Sequence, residues 1–134
     1  MSMTIDHVSV GVTNMKRSKA FYDAALAPLG MAPVYPVEIN GQLVGVGYGV
    51  PNKPSFWIQL PINGQAASMG NGVHIALRAD KREAVDAFFL AALEQGGTED
   101  GRPGLRTEYH PDYYGAFVRD PDGNKIEACS HARE

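Results

Sequence analysis

Two strand-like runs of this chain, Ile5-Asp6-His7-Val8-Ser9-Val10 and Gly72-Val73-His74-Ile75-Ala76-Leu77, carry a histidine at the same phase of a β-branched stretch. Each run is followed by a helix-like segment and then by further strands, so the chain reads as one small module written twice. With 134 residues it has the size of a single compact domain. The two modules, about residues 4–62 and 71–131 of a domain spanning 1–134, must therefore share one core.

The periodicities place the elements. From Ile5 to Val12, residues Asp6, Val8, Val10 and Val12 alternate with Ile5, His7, Ser9 and Gly11, the pattern of a strand with one small, polar face. Asn14 is placed to cap a helix to about Ala27, with Met15, Phe21, Tyr22, Ala25 and Leu26 on its apolar side and Pro28 and Gly30 ending it. Strands are expected near 32–38, 42–50 and 55–60, the first two joined by the hairpin signal Asn40-Gly41. Residues 63–71 form a connector, and the order then repeats. Asp80 and Glu83 suggest a capping box opening a helix that buries Val85, Phe88, Phe89, Ala92 and Leu93, and Gly96-Gly97 stops it. The last strands are expected near 105–109, 113–119 and 125–130. If the turn Asp120-Pro121-Asp122-Gly123-Asn124 centres on Asp122, Phe117 pairs with Glu127 on one face. The fold class is α+β: two βαβββ modules whose helices cover one face of the sheets and whose other face forms a cup.

Composition narrows the partners. The net charge of −3 comes without a run of like charges, which argues against a nucleic-acid or anionic-membrane surface. A single cysteine, Cys129, leaves no intramolecular disulfide. The first residues carry neither a basic nor an apolar leader region, and no stretch has the length of a membrane span. A cytoplasmic protein acting on a small molecule is the expectation.

The cupped face carries the chemistry. His7, Ser9 and Gly11, then Trp57 and Gln59, then His74 and Ala76, then Glu127 are too polar for a core, and a sheet lined with them makes a ligand cavity. A lone strand histidine is commonly a core or surface residue, but two at equivalent repeat positions, with a carboxylate on a later strand, point to metal. Two neutral imidazoles and one carboxylate suit Mn, Fe, Co, Ni or Zn. Gln59 reads as a polar group of the pocket. Trp57 and Phe117 flank the cavity by parity, Tyr113 and Tyr114 can bring a hydroxyl to its mouth, and Arg78 and Arg119 can meet an anionic substrate end. Gly45, Gly47 and Gly49 leave one strand face bare, as room for a ligand or a close approach. His110 and His131 fall in a loop and a tail and are left out of the site.

The segments Ile5-Asp6-His7-Val8, Phe21-Tyr22, Val73-His74-Ile75-Ala76 and above all 114–127, Tyr114 through Asp120-Pro121-Asp122-Gly123-Asn124 to Glu127, make the chain resemble the vicinal oxygen chelate superfamily over essentially its whole length. That superfamily includes glyoxalase I, extradiol dioxygenases, methylmalonyl-CoA epimerase, and fosfomycin and bleomycin resistance proteins. The resemblance implies a divalent metal held at positions matched by His7, Gln59, His74 and Glu127, with Glu127 as the proton-transferring carboxylate and Glu38 a distant second. Glyoxalase I generally has a glutamate at the position matched by Gln59, the epimerase a glutamine. Isomerase or lyase chemistry of glyoxalase type is the leading expectation. Epimerase or dioxygenase chemistry on the same site, or metal-free antibiotic sequestration, are the rivals. A homodimer is expected from the resemblance and from the sheet edges two modules leave open.

Overall fold

The computed structural model describes residues 4–134. The order is β1 (Val8–Gly11), α1 (Met15–Leu26), a 3₁₀ turn (Ala27–Leu29), β2 (Ala32–Ile39), β3 (Gln42–Val50), β4 (Lys53–Gln59), β5 (His74–Arg78), α2 (Arg82–Glu94), β6 (Thr98–Leu105), β7 (Tyr114–Arg119) and β8 (Lys125–Ser130). The strands form two mixed four-stranded sheets, ordered β1-β4-β3-β2 and β5-β8-β7-β6. In each the module's first strand pairs in parallel with its last and the remaining pairs are antiparallel. The duplication is thus realised strand for strand.

Local chemistry accounts for most boundaries. Asn14 caps α1, its side-chain oxygen accepting from the Arg17 backbone N–H at 3.0 Å. Gly30 ends the following turn in the left-handed conformation. Asn40 and Gly41 both have positive φ, 53° and 77°, which is the two-residue hairpin that pair favours.

Two expectations are corrected. The Asp80–Glu83 capping box does not form: α2 starts from Lys81 with no side-chain cap, and its Arg82 N–H is taken by the Glu134 carboxylate at 2.8 Å. The sixth strand runs over Thr98–Leu105 rather than 105–109, because Gly101, Pro103 and Gly104 sit in a bulged edge strand that tolerates them.

The two helices pack against each other, each over its own sheet, and one buried cluster runs through both modules. It includes Phe21, Tyr22, Leu26, Tyr48, Phe56, Ile58, Val85, Phe88, Val118 and Ile126. The β7–β8 turn is clasped to the first module by polar bonds. Tyr22 donates to Asp120, the Asp122 carboxylate accepts from the Thr13 backbone N–H, and the Asn124 amide donates to the Gly11 carbonyl. Each sheet turns its other face away from this core.

Candidate active site

On the outward face of the second sheet, His74, Glu127 and Phe117 come together as the strand register requires. Phe117 is paired with Glu127 and Ala76 with Glu127, so the strand after His74, the glutamate and the phenylalanine present one surface. His74 Nε2 lies 3.2 Å from Glu127 Oε1. The glutamate is 1% exposed, yet its other oxygen, Oε2, accepts from the Tyr113 hydroxyl. Gly115, between Tyr113 and Phe117, makes this possible: a Cβ there would stand 3.0 Å from Glu127 Oε2 and 3.2 Å from the Tyr113 ring. Burial, reinforced by the bond to Glu127, pushes the Tyr113 phenol well above its usual value of 10.0. Burial also raises the Cys129 thiol above its ordinary 9.0, in keeping with a structural cysteine and not a reactive one.

These residues border a cavity of about 570 Å³ together with Asp100, Gly101, Arg106, Tyr109 and Lys125. The Arg106 guanidinium and the Lys125 ammonium lie 5.6 and 5.1 Å from the Phe117 ring centre, so two cations flank the ring beside the carboxylate. Asp100 is paired with Arg119 at 3.0 Å and with Lys125 at 3.5 Å. The pocket can offer a proton acceptor, a phenol, an imidazole and two cationic groups to an oxygenated ligand.

The first module's outward face is different. Its cavity, about 600 Å³, contains Trp57 and Gln59 but neither histidine. Ser9 lines a shallower cleft beside it, with Gly11, Gln59 and Ala67. His7 lies just ahead of β1 and half exposed, its Nδ1 2.6 Å from Asp6 Oδ2, while Lys53 holds the same Asp6 at 3.2 Å. The His7 hydrogen bond, followed by that of Lys53, lowers the Asp6 pKa below its ordinary 3.8. The four residues named as ligands therefore fall in two places, His74 and Glu127 in one cavity and His7 and Gln59 outside it. Among the described residues no group of three or more His, Cys, Asp or Glu side chains is gathered to hold a metal ion.

The internal repeat also gives the counterpart of Glu127. Val8 pairs with Phe56 as Ile75 pairs with Ile126, and beyond each first strand the Val12 N–H bonds Gln59 O as the Ala79 N–H bonds Cys129 O. Ser9 thus faces Trp57 where Ala76 faces Glu127. Trp57 stands at the glutamate's position, and Gln59 at that of Cys129.

Besides Ser9, two residues assigned to the pocket from sequence, Tyr114 and Arg78, line neither large cavity. Tyr114 belongs to the inward phase of β7, donating to Asp86 at 2.7 Å beneath the Arg82 guanidinium, and it is Tyr113, one residue earlier, that reaches the site. Arg78 stands opposite Cys129 at the far end of β5. Arg106, Tyr109 and Asp100 were missed. They come from the bulged strand β6 and the loop after it, which carry no periodicity, whereas Lys125 was open to discovery by its parity with Glu127.

A model of the Glyoxalase/Bleomycin resistance protein/Dioxygenase superfamily matches residues 4–128. Among solved structures, a glyoxalase/bleomycin resistance protein from Albidiferax ferrireducens T118 is 41% identical, with 96% of this chain and 98% of that chain covered and a TM-score of 0.81. A V278E mutant of glyoxalase I from Zea mays is 25% identical, with 93% of this chain and 45% of that chain covered and a TM-score of 0.68. No protein of curated function matches. The paired modules and these matches together show that the chain belongs to the Glyoxalase/Bleomycin resistance protein/Dioxygenase superfamily.

Proposed function

We propose that the protein is a divalent-metal-dependent enzyme of isomerase or lyase type acting on a small oxygenated metabolite, with His74 and Glu127 as the resident donors. The observation that carries this reading is the 3.2 Å separation of His74 Nε2 and Glu127 Oε1 at the edge of a cavity. At that separation the imidazole nitrogen and the carboxylate oxygen could both serve as donors to one divalent ion. The groups fit Mn, Fe, Co, Ni or Zn, and such an ion supplies Lewis-acid polarisation of substrate oxygens.

Two donors are too few for a tight site. His7 is the remaining imidazole at a repeat-equivalent position, and we assign it to the site through a homodimer in which one copy's first module faces the other's second. Gln59, two residues along β4 from Trp57 at the position matching Glu127, serves on this reading as a polar group of the neighbouring pocket. In the reaction Glu127 would take a proton from one substrate carbon and return it to the adjacent one, Tyr113 would hold the carboxylate in place through Oε2, and Arg106 and Lys125 would orient an anionic or strongly polar end.

A second reading is supported by Trp57 at the glutamate-equivalent position: a metal-free protein that binds an organic ligand on its first-module face. Elemental analysis of protein purified without added metal separates the two. Bound transition metal that disappears in His74→Ala supports the enzyme, and metal-free protein with no calorimetric affinity for Zn, Mn or Ni overturns it. With metal established, hemithioacetals, CoA esters and catechols are the substrate classes to screen.

A further inference from the structure

The cavity on the first module has the chemistry of a binding site rather than of a reacting one. None of its lining residues is an Asp, Glu, Lys, Arg or His, in contrast to the five such residues of the His74 cavity. Val37, Ile39, Val44, Leu60 and Ile62 supply apolar surface, and the carboxamides of Gln59 and Gln65 are among its few polar groups. About 600 Å³ is the size of a small-molecule pocket.

Its aromatic wall is built with close tolerance. Trp57 lies across Gly47, where a Cβ would stand 2.8 Å from Cζ2 and 2.9 Å from Cε2 of the indole. The Tyr35 ring packs beside it, its centroid 5.6 Å away and its plane tilted by 60°. Residues 60–67, continuing from β4, form part of the lining, and Ala67 approaches the bare backbone of Gly11, where a Cβ would be 3.3 Å from its own. Gly47, one of the three glycines that leave that strand face bare, is what lets the indole lie flat.

We propose that this cavity binds an uncharged, planar aromatic group, stacked on Trp57, with the Gln59 carboxamide meeting a hydroxyl or carbonyl at its edge. Stacking on a flat indole favours an aromatic over an equally apolar but puckered ring. A charged ligand entering a lining without counter-charges loses its hydration without a partner. The two copies of the ancestral module have then diverged, one face keeping proton and metal chemistry and the other selecting the body of the ligand. The inference deepens the proposed function by naming the substrate class, and it rests on that function only for the idea that one ligand spans both faces.

Trp57 is the chain's single tryptophan, so its indole N–H gives one NMR cross-peak that needs no assignment. Titrating the protein in EDTA with 1-naphthol should move that peak saturably, while 1-naphthoate and cyclohexanol should bind about tenfold more weakly or not at all. Ile62, 98% exposed in the segment after β4, can be changed without disturbing the core. Ile62→Glu and Gln59→Ala should each weaken 1-naphthol severalfold, and His74→Ala should leave its affinity unchanged. A peak that does not move, naphthoate binding as tightly as naphthol, or loss of naphthol binding in His74→Ala overturns the proposal. Because metal is chelated throughout, failure of the metal reading leaves these outcomes untouched.

Discussion

Tyr22 and Asp120 lie 98 residues apart and share a buried 2.6 Å hydrogen bond that fastens the first module's helix to the second module's last hairpin. Asp120 also accepts from the Asn124 backbone N–H and side-chain amide, at 2.8 and 2.9 Å. The bond therefore serves folding as well as packing, since both modules contribute to one core.

Tyr22→Phe keeps the ring and removes the donor. A hydrogen bond to a charged group contributes about 1.5–3 kcal/mol, and the remaining Asn124 contacts keep the carboxylate partly satisfied. Urea denaturation should show a loss near the lower end of that range. It should remain a single transition by both fluorescence and circular dichroism, because the clasp joins modules that fold together.

Alkali should destabilise the protein. Burial, followed by the charge of Asp120, raises the Tyr22 phenol well above 10.0, and burial with a hydrogen bond to Asp23 does the same for Tyr48. The folded state therefore keeps protons that the unfolded state releases above pH 10, so stability falls with rising pH. The contribution is complete below about pH 10 and declines from there toward the higher folded values. Tyrosinate absorbance followed together with circular dichroism should show these two phenols ionising only as the chain unfolds. Early ionisation in folded protein would contradict the burial argument.

Gly97 is a tighter constraint than its place after α2 suggests. A Cβ there would stand 2.6 Å from Phe21 Cε1 and 2.9 Å from the carbonyl oxygens of both Ala92 and Arg119. Backbone carbonyls cannot swing aside as a side chain can, so Gly97→Ala should cost about 1–3 kcal/mol through overpacking. Gly96→Ala, at φ 93° with nothing within 4 Å, tests conformational strain alone. Thermal denaturation of the two variants separates crowding between modules from strain in the cap.

Where pairing is local, the sequence was readable. The Phe117–Glu127 register follows from counting outward from Asp122, and the hairpin at Asn40-Gly41 from its turn chemistry. Where pairing is distant, it was not. β1 meets β4 in parallel with no turn from which to count, so the register that puts Trp57 at the position of Glu127 is visible only in the structure. β6 escaped because Gly101, Pro103 and Gly104 have loop composition inside an edge strand, and with it went Arg106 and Tyr109 of the adjoining loop. The parity rule failed once within reach: Tyr113 and Tyr114 are adjacent, and only the strand phase decides which enters the cavity.

The separation of His7 from His74 makes a prediction about mixed oligomers. If one copy's first module completes the other's second, the His7→Ala and His74→Ala homodimers should each lose metal. A heterodimer of the two then contains one site carrying both substitutions and one site carrying neither. Unfolding and refolding an equimolar mixture should restore about one intact site per heterodimer, read as recovered metal by elemental analysis after gel filtration, and as recovered turnover once a substrate is known. A site contained within each chain gives no recovery at all, since every copy then bears a damaged site. Light scattering must show twice the chain mass for the experiment to apply, and a clean monomer would remove the shared site together with the assignment of His7 to it.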